Sequence, residues 1–345
     1  MLPAPFGSTE AYRDAFTHGL MELLHEDQLG AYILVLANAI HDPNVHRLLK
    51  PQLETRFREL SVLLTGYLEE GRSLDDASDD LLVFLKLMAL GFERLQMCQS
   101  RQVGPWQIQY NQLRSFRPAR MSNHAVTELF TPLGEEDFHF NKPFLEKEIL
   151  WSGDLQGRNC SLLYNKFPFA PLHGLLVLEP EQNRPQFLDH ETHGYLWQLV
   201  ERLGDDMPGV GFGYNSRGAY ASVNHQHFQM YVRDAGRFPV EQQAWTHRGG
   251  SLGYPLVCHC LASRERAWEL LHGLHEANCA YNLLYRPGLL YIIPRAMQGS
   301  YQHAGWTSGF AWAETAGAIT TFRSSDYAQL DEQQIAAELK KLAIQ

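Results

Sequence analysis

The chain is poor in cysteine, poor in basic residues and free of long apolar runs, and each shortage removes a class of protein. Its five cysteines, at 98, 160, 258, 260 and 279, are odd in number and lack the spacing of a disulfide framework. A reducing, cytoplasmic setting is therefore expected. Lysine and arginine total 29 against 39 acidic residues, a formal charge of −10. That balance speaks against a dedicated nucleic-acid binder, which must neutralise many phosphates. It leaves room for a small phosphorylated substrate held in a local pocket. The two longest apolar runs, 29–40 and 81–92, fall short of the ~20 residues that span a bilayer, so buried helices and no membrane partner are expected. The opening MLPAPFGSTEAYRDAF has neither the basic nor the apolar region of a signal peptide.

What is present is an ordinary globular composition, 45% hydrophobic and 20% charged over 345 residues, enough for roughly two or three units with cores of their own. Residues 1–97 read as helical. Tyr12, Phe16, Leu20, Leu23 and Leu24 follow helical spacing behind the candidate caps Ser8 and Thr9. Leu53, Phe57, Leu60 and Leu64 repeat the pattern, and Asp79 and Asp80 lead into a third segment over 81–98. Near Val103-Gly104-Pro105 the character changes to short apolar runs separated by turn residues, such as GLLVLEP, GVGFGYN, HFQMYVR and LLYIIP. Helical stretches intervene at about 188–203 and 263–277. The expectation is an α+β fold with an antiparallel sheet: a helical domain over 1–103 and a core over 104–345, in halves of about 104–235 and 236–345. Tyr164-Asn165 and Tyr281-Asn282, 117 positions apart (281 − 164), suggest those halves are related.

The chemistry concentrates in GFGYNSRGAYASVNHQHFQMYV, 211–232. If 225–232 is a strand, His225, His227, Gln229 and Tyr231 share one face, and Gln226, Phe228, Met230 and Val232 the other. The preceding Asn215-Ser216-Arg217-Gly218 is small and polar, suited to close approach of backbone N–H groups to phosphate oxygens. Two surface histidines on a strand would look the same. So would two zinc ligands, with Cys258 and Cys260 as further donors, although no carboxylate or thiol shares the histidine face.

His225-x-His227-x-Gln229, with Asn215 and Gly218 upstream, resembles the transferase branch of the histidine-triad superfamily. That branch includes galactose-1-phosphate uridylyltransferases, diadenosine tetraphosphate phosphorylases and GDP-hexose phosphorylases, and YNSRGAYASVNHQHFQ (214–229) is most similar to the last of these. YNLLYRPGLLYIIPR (281–295) and AWAETAGAI (311–319), the latter carrying Glu314 and Gly317, agree with that group. WQIQYNQLRSFRPARMSN (106–123) resembles the entry segment of bacterial histidine-triad-like proteins. The resemblance runs over roughly 105–330 and leaves the first hundred residues unmatched.

The resemblance implies a two-half α+β core with no cofactor and no metal, acting through a covalent nucleotidyl-histidine. His227 is then the nucleophile, His225 a phosphate-positioning neighbour and Gln229 the replacement for the third histidine. An amide holds an oxygen but is no general acid at neutral pH, which favours transfer over hydrolysis. Asn215, Ser216, Arg217, Gly218 and Ser222 are expected around the phosphates, with Asn165 and Lys166 beside them. Arg114, Arg117 and Arg120 offer a basic rim or a solvated face. The expected partners are a nucleotide sugar or dinucleotide and an inorganic phosphate or sugar-phosphate acceptor, with a homodimer as the candidate assembly. Phosphorolysis of a GDP-hexose-like substrate leads; diadenosine polyphosphate phosphorolysis and hexose-1-phosphate uridylyl exchange are its alternatives. A catalytically dead nucleotide-binding regulator with a partner-binding helical domain is the rival of another class. The helices over 1–97 are either separable from catalysis or a cap on an exposed sheet face.

Overall fold

The computed structural model describes residues 2–72, 78–117, 125–134, 136–233 and 237–344. Four helices come first: α1 (Thr9–Leu23), α2 (Leu29–Ala39), α3 (Pro43–Glu69) and α4 (Ser78–Leu90). Ser8 caps α1 by accepting from Ala11 N, and Tyr12, Phe16, Leu20 and Leu23 form its buried face. Every residue of α2 is buried, as its unbroken apolar run requires. The helix expected over 81–98 stops at Leu90 because Gly91 takes φ +87°, a conformation that ends a helix cheaply only at glycine.

After that break β1 (Gln99–Val103) and β2 (Trp106–Tyr110) form a hairpin, followed by α5 (Gln112–Phe116). The main sheet is built from β3 (Ile149–Leu155), β4 (Arg158–Tyr164), β5 (Gly174–Leu178), β6 (Val210–Asn215), β7 (Phe228–Val232), β8 (His259–Leu261), β9 (Ala280–Arg286) and β10 (Leu289–Arg295). Among the described residues its order is β3-β4-β5-β7-β6-β9-β10-β8, and its pairings are antiparallel. Helices α6 (His190–Asp206) and α7 (Arg264–Glu276) coincide with the two stretches read from sequence, capped by Asp189 and Ser263. The chain closes with α8 (Trp312–Thr315), β11 (Ala318–Thr321) running parallel to β2, α9 (Ser324–Gln329) and α10 (Glu332–Lys340). The α+β class with an antiparallel sheet is thus the observed one. Among the described residues no helix is long and apolar enough to cross a membrane.

The two Tyr-Asn pairs stand at different places in the sheet. Tyr164 ends β4, whereas Tyr281 stands near the start of β9. The units that face one another are α6-β6-β7 and α7-β9-β10, each a helix followed by a hairpin, and they meet where β6 pairs β9.

The two faces of the sheet have separate cores. One carries Leu162, Tyr164, Leu176, Phe228 and Met230 against α6, α7 and helices α1–α4. The other carries Tyr231, Trp312, Trp106 and Phe238. Helices α1–α4 are also tied to the sheet by polar bonds. Tyr164 Oη donates to Phe16 O at 2.8 Å, Asn38 Nδ2 to Asn165 O at 3.0 Å, and Lys166 Nζ meets Asp80 Oδ2 at 2.6 Å. Beside that ion pair burial raises the Glu148 carboxyl to about 7, with Asp80 adding to the rise and Lys166 opposing it. A carboxyl raised on folding stabilises fully below its unfolded value and loses that contribution as pH climbs through about 7. Glu148→Gln is therefore expected to match the parent near pH 5 and to exceed it at pH 8, by on the order of 1 kcal/mol. Urea unfolding at both pH values reads this out; a gain at pH 5 and none at pH 8 would contradict it.

Candidate active site

Strand β7 begins at Phe228, three residues later than the alternation implied. His225 is held instead by an isolated bridge to Pro185, and the intervening backbone stays extended enough to preserve the two faces. Gln229 and Tyr231 point to the Trp312 side, and Phe228, Met230 and Val232 to the helix side. Phe140 contacts both histidine rings, with centroids 5.6 Å from His225 and 5.1 Å from His227. His225, His227 and Gln229 therefore line one face, all three buried.

His227 is fixed from three directions. Its N–H donates to Gln186 Oε1 (2.9 Å), and Gln186 Nε2 donates back to His227 O (3.3 Å) and to Asn215 O (2.9 Å). Its ring Nδ1 lies 2.8 Å from His225 O. A carbonyl only accepts, so Nδ1 carries the proton and Nε2 keeps a lone pair. Burial lowers His227 to about 4, opposed by that carbonyl contact. His225 Nδ1 accepts from Phe140 N at 3.0 Å, so its proton sits on Nε2. Burial first, then His227 and His139, lower it to about 4, opposed by a hydrogen bond to the Pro180 carbonyl. Both rings are neutral at physiological pH.

Gln229 Oε1 accepts from Trp312 Nε1 at 2.8 Å, which orients the amide. The indole can lie there because β6 carries Gly213: a Cβ at that position would sit inside the indole ring. Gly211 likewise makes room for the Tyr231 ring, whereas Gly209 lies against the Arg233 backbone.

The expected phosphate loop is partly turned inward. Asn215 Oδ1 accepts from Trp312 N and Asn282 Nδ2, both at 2.7 Å. Ser216 Oγ accepts from Tyr281 N at 2.9 Å. Gly218 takes φ +80° beneath Met297 and its carbonyl accepts from Gln298 N at 2.7 Å, so a side chain there is excluded by both conformation and space. Arg217 Nε donates to Glu128 O at 3.1 Å, and Ser222 is exposed. Lys166 is drawn to Asp80. Asn165 stays near the histidine face through a 3.2 Å contact with His173 Nε2. Glu314 is buried and accepts from Ala311 N at 3.1 Å. Arg114 turns inward under Phe169, Arg117 lies over Phe167, and Arg120 falls outside the described residues. Cys258 packs in the Trp312-side core, and Cys260 Sγ accepts from Arg248 Nη1 at 3.3 Å. Among the described residues no three His, Cys, Asp or Glu side chains group as metal ligands.

Sequence reading missed Gln186, Phe140, Trp312 and His173. His173 alone left a signal. Leu175 pairs with Gln229, so stepping back two residues along the same face puts His173 on the histidine side.

Residues 96–231 match the family "GDPGP1-like, N-terminal domain". The chain is 38% identical over 108 residues to GDP-D-glucose phosphorylase 1 of Danio rerio, covering 31% of this chain and 30% of that protein. It is 33% identical over 121 residues to GDP-L-galactose phosphorylase 2 of Arabidopsis thaliana, covering 33% and 27%. The matched stretch thus spans under a third of either relative's length. The crystal structure of yeast Ap4A phosphorylase Apa2 in complex with Ap4A aligns with TM-score 0.50 at 14% identity, covering 77% of this chain and 98% of that one, a likeness of fold. Residues 96–231 accordingly match a GDPGP1-like domain, and part of the chain is similar to the GDP-D-glucose and GDP-L-galactose phosphorylases.

Proposed function

We propose that the chain is a phosphorylase that cleaves a GDP-hexose-like nucleotide sugar through a covalent nucleotidyl-His227. One observation carries this reading: His227 is buried and neutral, with Nδ1–H held by His225 O and the Nε2 lone pair left over. Nε2 attacks the α-phosphorus; an N–P bond forms, the bond to the bridging oxygen breaks, and hexose 1-phosphate leaves. Inorganic phosphate then attacks the same phosphorus, releasing GDP and restoring neutral His227. Two in-line displacements replace one, and neither needs the histidine to gain or lose its Nδ1 proton. The Gln229 amide N–H is a donor for a phosphate oxygen, joined by the His225 Nε2–H on leaving the Pro180 carbonyl, with Asn165, Lys166, Arg217 and Ser222 as the surrounding substrate contacts and Asn215, Ser216 and Gly218 bracing the loop that carries them. For Lys166 that role requires release from Asp80.

A panel of GDP-, UDP- and ADP-hexoses and diadenosine tetraphosphate, each with phosphate, tests the reading by the products released. GDP-hexose turnover is expected to be fastest. Faster turnover of diadenosine tetraphosphate would overturn the substrate class, and no turnover of any member would favour the regulatory reading.

The pH dependence follows from the same geometry. A nucleophile lowered to about 4 is already deprotonated at neutral pH, so kcat/KM is expected to stay level from about pH 8 to about pH 5.5 and to fall only as pH approaches about 4. A rate profile with an acidic limb near the ordinary histidine value would contradict the buried neutral imidazole.

A further inference from the structure

We propose that Arg114, His41 and His173 form an anion subsite beyond Gln229, which takes the phosphate group of the acceptor and to which the N-terminal helical region contributes a wall. Calling the anion an acceptor rests on the nucleotidyl-transfer reading above. The anion site itself rests on what surrounds Arg114.

The Arg114 guanidinium lies 5.1 Å from the centroid of Phe169, and Nη1 donates to Phe167 O at 2.5 Å. Among the described residues that is its hydrogen bond, and no carboxylate comes within ion-pair distance of it. A guanidinium offers five donors in a fork, so Nε and Nη2 are left without a protein acceptor. Next to it Asn111, 1% exposed, spends Oδ1 on Arg114 N (3.0 Å) while its Nδ2 has no partner. Buried donors are rarely left unpaired. An orphaned amide donor one turn from a guanidinium whose remaining donors meet no protein acceptor fits an oxyanion supplied from outside.

The remaining walls are imidazoles. His173 is fully buried, stands edge-on to Phe169 at 4.5 Å and meets Asn165 Nδ2 at 3.2 Å. His41, just beyond α2, meets Gln109 Nε2 at 2.9 Å. Its backbone is pinned where Cys98 N donates to Ile40 O at 2.9 Å. Burial lowers His173 to about 3, with His41, Arg114 and His227 adding to the effect, and lowers His41 to about 4, with Arg114 and Arg233 adding to it and Asp42 opposing. Glu314, the carboxylate that feels Arg114 through space, is buried and occupied by Ala311 N. The cluster therefore sets a guanidinium and uncharged rings near His227, with Glu314 acting on Arg114 only through space, and a phosphate group brings the acceptor oxygens the guanidinium lacks.

The test is a titration of the full chain by ³¹P line broadening, with inorganic phosphate in one arm and glucose 1-phosphate in the other. Compared are the parent, Arg114→Met, Arg114→Lys, His41→Gln and the charge-matched control Arg202→Met on the outer side of α6. Binding of either probe is expected to weaken at least ~10-fold in Arg114→Met and less in Arg114→Lys, which keeps a point charge but loses the fork. His41→Gln should weaken it a few-fold (about 3), and Arg202→Met should behave as the parent. Melting curves identify any variant lost to misfolding, and Arg114→Lys then decides. Equal affinity in the parent and a folded Arg114→Met, or no binding of either probe to the parent, overturns the subsite. A phosphate titration lost with Arg114 in a chain that forms no nucleotide adduct would sink the reaction while the anion site stands; an adduct with Arg114-independent phosphate binding would do the reverse.

Discussion

Replacing His227 with alanine is expected to lower nucleotidyl transfer at least ~1000-fold, roughly 4 kcal/mol of transition-state stabilisation. The loss is this large because nothing beside His227 can substitute. His225 spends Nδ1 on Phe140 N, leaving a protonated Nε2, and Gln229 is an amide turned by Trp312. The variant should still fold, since the strongest bonds at this position are made by its backbone, to Gln186. Steady-state rates on the best nucleotide sugar, with a melting curve as control, check it. A folded variant retaining a tenth of the parent rate would remove His227 from the chemistry.

The second large effect concerns the helices. A chain beginning near Gln96, which keeps β1 intact, is expected to be insoluble. Tyr12, Phe16, Leu20 and most of α2 share one continuous core with Tyr164, Leu172 and Leu176 of the sheet. Removing α1–α4 bares that side of β4 and β5 and orphans Tyr164 Oη, Asn165 O and Lys166. Tyr164, Leu172 and Leu176 alone, uncovered at about 1.5–3 kcal/mol each, amount to roughly 5–9 kcal/mol, comparable with the whole stability of a domain. An exposed patch of that kind drives aggregation. Soluble expression of the shortened chain with a cooperative melt would show instead that the helical domain is separable. Solubility with loss of phosphate binding would assign the helices to the subsite bounded by His41.

Local features were legible in the sequence because local physics sets them. Ser8 and Ser263 mark helix starts, and the apolar run of α2 is buried throughout. The alternation through His225, His227 and Gln229 survives even though the strand proper starts at Phe228. What was not legible depends on partners distant in the chain. Gln186 reaches His227 across 41 positions, and Trp312 reaches Gln229 across 83. Asp80 claims Lys166 across 86, and no local pattern announces that pairing. Asn215 looked like a phosphate contact because its loop is small and polar, yet its Oδ1 braces Asn282 and Trp312. Apolar periodicity runs on to 98, but α4 ends at Leu90 because Gly91 takes a left-handed φ.

The most direct test of a nucleotidyl-His227 is the mass of the chain after incubation with GDP-glucose in the absence of phosphate, followed by peptide mapping. The account predicts a guanylyl adduct on the peptide carrying His227, labile to acid as a phosphoramidate is, which disappears on adding phosphate as GDP is released. Turnover without any adduct, or an adduct that persists in His227→Ala, would contradict it.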